Sequence, residues 1–75
     1  MSSPRLHSSA AIVKVLEGEG FEFVSQKGSH AKYRKEGPPK LTVIVPAARK
    51  EIPLGTFRSI LRQSGLDESA FDSGR

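Results

Sequence analysis

The stretch FEFVSQKGSHAKYRKEGPPKLTVIVP, residues 21–46, decides the fold. It opens with strict alternation: Phe21 and Phe23 share one face and Glu22 takes the other, the period of a half-buried strand. Gly28-Ser29 then supplies a two-residue tight turn. Alternation resumes over 30–36, where Ala31 and Tyr33 point one way and His30, Lys32 and Arg34 the other. The GPPK segment at 37–40 breaks that strand, because proline cannot donate to a ladder. LTVIVP, 41–46, is β-branched and apolar and reads as the central strand. The stretch therefore predicts three antiparallel strands.

Helical spacing flanks it on both sides. In SAAIVKVLEGEG, 9–20, the residues Ala11, Ile12, Val15 and Leu16 form one stripe, and Lys14 and Glu17 face away. Ser8 or Ser9 can cap the start by accepting an orphan backbone N–H, and Gly18 and Gly20 end the helix, with Gly20 free to take a positive φ. In PLGTFRSILRQSGL, 53–66, a second stripe runs through Phe57, Ile60, Leu61 and Ser64. Gly65 reads as a left-handed cap, with Leu66 packing back on Leu61 in a Schellman ending, and one more turn can follow through Phe71. Residues 1–8 and 72–75 read as frayed tails of a single domain spanning 1–75. The order is α-β-β-β-α: an α+β fold with both helices on one face of a three-stranded antiparallel sheet. The expected core is Ile12, Val15, Leu16, Phe21, Phe23, Tyr33, Val43, Phe57, Ile60 and Leu61, and the opposite sheet face is open to solvent.

Composition narrows the function. The chain has 75 residues, no cysteine and a formal net charge of +4. A disulfide and a thiolate zinc site are thereby excluded. The two histidines are far apart and no carboxylate cluster lies near them, so neither a metal nor another cofactor is expected. No apolar run reaches membrane-spanning length and no signal-peptide core is present, which makes the cytoplasm the expected location. The charge is segregated. Lys27, Lys32, Arg34, Lys35, Lys40, Arg49, Lys50, Arg58 and Arg62 crowd 27–62 against only Glu36 and Glu51, while the ends carry most of the acids. A basic middle with acidic ends fits a surface that faces a polyanion, and equally a soluble domain with solvated lysines.

On the open face, His30 stands beside Lys32 and Arg34. Arg58 and Arg62 lie one turn apart on the last helix and form a cationic ridge, suited either to phosphate contact or to plain solubility. Ser29 is a turn former whose hydroxyl can also donate to a phosphate. Tyr33 alternates with Ala31 onto the helix-covered face, as a core residue would.

GEGFEFVSQKGSHAKYRKEG, followed by TVIVP and KEIPLGTFRSILRQSGL, resembles the HicA toxins of bacterial toxin–antitoxin pairs. The resemblance runs over residues 9–66 and rests on Gly20-Phe21, Gly28-Ser29-His30, Val45-Pro46, and Pro53, Gly55, Thr56, Arg58, Ile60 and Leu61, in this order and spacing. It implies a fold like that of double-stranded-RNA-binding domains, cleavage of messenger RNA, and silencing by a HicB antitoxin. It also implies that His30 is the catalytic histidine. One departure stands out: many members carry a second histidine shortly after the Val-Pro, where this chain has Ala47 and Ala48.

The chemistry so implied is metal-independent. RNA carries its own nucleophile, the 2′-hydroxyl. A base must take its proton, a cation must stabilise the phosphorane, and an acid must protonate the leaving 5′-oxygen. His30 is the candidate base, and Lys32 and Arg34 are the candidate phosphate ligands; the acid is unassigned, and a neighbouring lysine, Tyr33 or water could serve. A non-catalytic RNA-binding module and a protein-binding domain for an acidic partner are the competing readings of the same surface.

Overall fold

The computed structural model describes residues 6–72. Its elements are α1 Ser9–Gly18, β1 Glu22–Lys27, β2 His30–Lys35, β3 Leu41–Pro46, α2 Leu54–Ser64 and a short α3, Ser69–Asp72, which supplies the extra turn at Phe71. The strands form one antiparallel sheet in the order β1-β2-β3, so β2 is the central strand, not β3 as its apolar sequence suggests.

Gly28 makes the β1–β2 hairpin possible. Its φ of 58° is a conformation that side chains with a Cβ resist, and it lets Lys27 and His30 close the turn as partners. Further down β1 the register shifts between Phe23 and Ser25, which leaves Val24 as the extra residue of a bulge. Pairing to β3 is regular: His30 faces Pro46, Lys32 faces Ile44 and Arg34 faces Thr42. The intervening residues Ala31, Tyr33, Val43 and Val45 are buried on the other face, as the alternation predicts.

Both helix ends follow from local chemistry. The Ser8 hydroxyl caps α1, accepting the Ala11 N–H at 3.1 Å. Gly20, at φ 101°, lets the chain close a Schellman pair, with Phe21 N–H donating to Leu16 O and Gly20 N–H to Glu17 O. At the end of α2, Gly65 takes φ 72° and its N–H donates to Leu61 O at 3.0 Å. The full Schellman pair does not form there, because the Leu66 N–H is taken by the Ser64 hydroxyl at 3.2 Å.

The core consists of Ile12, Leu16, Phe21, Ala31, Tyr33, Val43, Val45, Ile52, Phe57, Ile60 and Phe71. Three expected members lie outside it. Phe23 is 55% exposed, touching the edge of Tyr33 at 5.7 Å between ring centroids, because β1 is an edge strand and is exposed throughout. Val15 and Leu61 are only half-buried at its margin. Ile52 is fully buried although it is a lone apolar residue between Glu51 and Pro53. Its N–H donates to His7 O at 2.8 Å, and the His7 ring lies 4.7 Å from that of Phe57. His7 and Ser8, read from the sequence as part of a tail, are therefore held against the body, and Asp72 closes α3. Residues 1–5 and 73–75 of the expected tails lie outside the described residues. Among the described residues no helix is long and apolar enough to cross a membrane.

Candidate functional site

His30 is held at its place by backbone pairing on both sides, to Lys27 across the hairpin and to Pro46 on β3. One step further, Ala47 N–H donates to Ser29 O at 2.7 Å, so the ladder continues into the turn. The His30 side chain is exposed. It opens onto a cleft of about 400 Å³ lined by Ser29, His30, Ile44, Pro46, Arg49, Thr56, Ser59 and Gln63.

The far wall of this cleft is α2, and the free edge of β3 explains its position. An edge strand leaves backbone groups unpaired. Gln63 Oε1 accepts the Ile44 N–H at 2.9 Å, which satisfies one such group and ties α2 to the edge. Thr56, Ser59 and Gln63, spaced i, i+3 and i+7, then present a polar stripe to the cleft, beside the buried stripe of Phe57, Ile60 and Ser64.

The loop after β3 closes the end of the cleft. Ser9, 6% exposed, holds it: the hydroxyl donates to Pro46 O and accepts the Arg49 N–H at 2.9 Å, while Ser9 N–H donates to Arg49 O at 2.9 Å. Between these anchors Ala48 adopts φ 57°, a conformation unfavourable for any residue with a Cβ. Arg49 also borders a groove of about 500 Å³ on the opposite side, lined by Val13, Ala31, Tyr33 and Val45 among others, and so stands at the divide between the two.

The residues predicted from the sequence divide into groups. Ser29 and His30 come together in the cleft. Lys32 and Arg34 share the face of His30 but are not among the cleft residues. They lie roughly 7 Å and 14 Å further along β2 at the usual strand rise. Both are half-buried, and Arg34 Nε is buried with no protein hydrogen-bond partner. Arg62 reaches the rim, donating from Nη2 to the Ser59 hydroxyl at 3.1 Å. Arg58 is exposed one turn earlier on α2. Tyr33 lies on the other face of the sheet, where burial first and the negative charge of Glu17 second raise the pKa of its phenol. It cannot serve as an acid at His30 from there.

Sequence reasoning missed Arg49, Thr56, Ser59 and Gln63 as residues of the site. The polar stripe of α2 was readable in principle, since it runs at helical spacing beside the apolar one. The place of Arg49 was not, because it depends on the turn at Ala48 and on the long-range anchor at Ser9. Among the described residues no group of three or more His, Asp or Glu side chains is placed to hold a metal ion.

A family model described as HicA toxin of bacterial toxin-antitoxin matches residues 9–66. No curated protein matches the chain.

Proposed function

The chain belongs to the HicA toxin family, which makes it the toxin of a toxin–antitoxin pair, and from that premise we propose that it is a metal-independent endoribonuclease acting on messenger RNA. The observation that carries this reading is the position of His30, the sole imidazole of the cleft, exposed at its mouth and fixed by strand pairing on both sides. An imidazole takes and returns protons near neutral pH. His30 removes the 2′-hydroxyl proton, the 2′-oxygen attacks the adjacent phosphorus, and the 5′-oxygen leaves and is protonated, with water as the simplest donor. The products are a 2′,3′-cyclic phosphate and a 5′-hydroxyl. Lys32, Arg34, Arg58 and Arg62 guide the RNA backbone over the open sheet face and the flank of α2, and Ser29 contributes its hydroxyl at the turn.

The partner that silences such an enzyme is a HicB-like antitoxin. An acidic surface meeting the same cations would associate fast and cover His30, so that RNA and antitoxin compete for one site in the cytoplasm. The reaction is tested by cleavage of a long single-stranded RNA in EDTA, with the ends of the products identified. The reading expects activity in EDTA, cyclic-phosphate ends, and resistance of a substrate with 2′-deoxy at the scissile nucleotide. Efficient cutting of the deoxy substrate would show that water or a protein group attacks instead. Binding without any cleavage would favour the non-catalytic module.

A further inference from the structure

We propose that Arg49 is the cation that meets the scissile phosphate in the His30 cleft, a role that rests on the ribonuclease reading above. The 2′-oxygen attack builds a phosphorane with extra negative charge on its non-bridging oxygens. A positive group placed there in advance stabilises that state more than the ground state. The cations first assigned to this task, Lys32 and Arg34, sit along β2 beyond the cleft residues. Arg49 is the permanently charged side chain among the residues that line the cleft, and no carboxylate lines it to neutralise that charge. The hydroxyls of Ser29, Thr56 and Ser59 share the cavity and can donate to the remaining phosphate or ribose oxygens.

The backbone supplies a second reason. Arg49 is surface-exposed, yet its N–H and C=O are both bonded to the buried Ser9, 40 positions away in the chain. The preceding Ala48 is kept at φ 57°. Non-glycine residues persist in that region when the surroundings hold them there, often where a functional side chain has to be aimed. A solvated surface arginine needs neither the clamp nor the turn. The two together fix the base of the Arg49 side chain at the end of the cleft that His30 also lines.

The bond changes are those of the transesterification. The 2′-oxygen loses its proton to His30 and bonds to phosphorus. The bond from phosphorus to the 5′-oxygen breaks, and that oxygen takes a proton. Arg49 exchanges no proton; its guanidinium donates N–H bonds to the non-bridging oxygens throughout.

The test is single-turnover cleavage of a defined RNA oligonucleotide at saturating protein, with RNA affinity measured separately in a His30→Ala background. Arg49→Ala should lower the cleavage rate on the order of 10² to 10³-fold, as loss of one preorganised donor does elsewhere. RNA affinity should weaken by far less. Arg49→Lys should recover part of the rate, and free guanidinium ion should partly rescue Arg49→Ala, which repair of a merely structural defect would not do. A thermal melt identifies a variant that has lost its fold, in which case Arg49→Gln takes its place. If Arg49→Ala cuts within about twofold of wild type while His30→Ala is inactive, the assignment of Arg49 is overturned and the ribonuclease reading stands. A loss confined to affinity overturns it equally. If His30→Ala itself still cuts, it is the catalytic role of His30, and with it the assignment of this cleft, that fails; if the wild type leaves RNA intact, the ribonuclease reading fails.

Discussion

Ser9 and Arg49 are joined by two hydrogen bonds of 2.9 Å, one from the Ser9 N–H to the Arg49 carbonyl and one from the Arg49 N–H to the Ser9 hydroxyl. The same hydroxyl donates to Pro46 O. The first residue of α1 thus fixes the loop that follows β3, and through it one end of the cleft at His30.

Ser9→Ala removes a part-buried donor and acceptor together and strands Pro46 O and Arg49 N–H. The expected loss of stability is about 1–3 kcal/mol. Ser8→Ala removes only the exposed cap to Ala11 N–H and should cost ~1 kcal/mol. Urea unfolding of both variants checks the order. A Ser9→Ala protein as stable as Ser8→Ala would contradict the role of Ser9 as anchor.

The corrected core gives a second contrast. Ile52 is fully buried, so Ile52→Ala should cost about 2–5 kcal/mol. Phe23 is more than half exposed and gives up mainly its edge-on packing against Tyr33, so Phe23→Ser should cost no more than about 1.5 kcal/mol. The sequence-based core predicts the reverse ranking, and denaturation midpoints of the two variants decide between them.

That reversal shows what a linear pattern can and cannot carry. The alternation of Ala31 and Tyr33 against His30, Lys32 and Arg34 fixed the two sheet faces, and the glycines at 20, 28 and 65 marked the turns with positive φ. These depend only on neighbours in sequence. The burial of Phe23 depends on whether a helix reaches β1, and α2 packs instead against β3 at the other edge of the sheet. Ile52 has no periodic context, and its burial comes from a loop docked beside His7 and Phe57. The position of His30 on the open sheet face was legible because it starts the alternating strand after Gly28-Ser29, whereas its catalytic role is what the family resemblance implies. Arg49 was not, because its place at the site depends on the turn at Ala48 and on its bonds to Ser9.

Tyr33 predicts a response to alkaline pH. Burial and Glu17 raise the phenol's folded-state pKa above its usual 10.0. Its contribution to stability is therefore complete below about pH 10 and is lost as pH rises through the raised folded value. Tyr33→Phe should lose less stability than wild type as pH rises above about 10, read by urea midpoints on either side of that value. Parallel curves for the two proteins would contradict the assignment.

RNA tracking by the sheet face predicts a salt effect. In a His30→Ala background, replacing Lys32 and Arg34 by Ala should weaken binding to single-stranded RNA with little sequence dependence. The slope of log affinity against log salt should fall by ~0.7 for each phosphate that is no longer neutralised. An unchanged slope would move the RNA path to Arg58 and Arg62.

If His30 performs the chemistry, cleavage of single-stranded RNA in EDTA should separate wild type from His30→Ala completely. His30 is exposed and outside the core, so the substitution should change stability by no more than about 0.5 kcal/mol, which a thermal melt of the same sample establishes. The expected result is a folded His30→Ala protein that still binds RNA and leaves it intact. A folded His30→Ala protein that cuts RNA at the wild-type rate would contradict the catalytic role of His30.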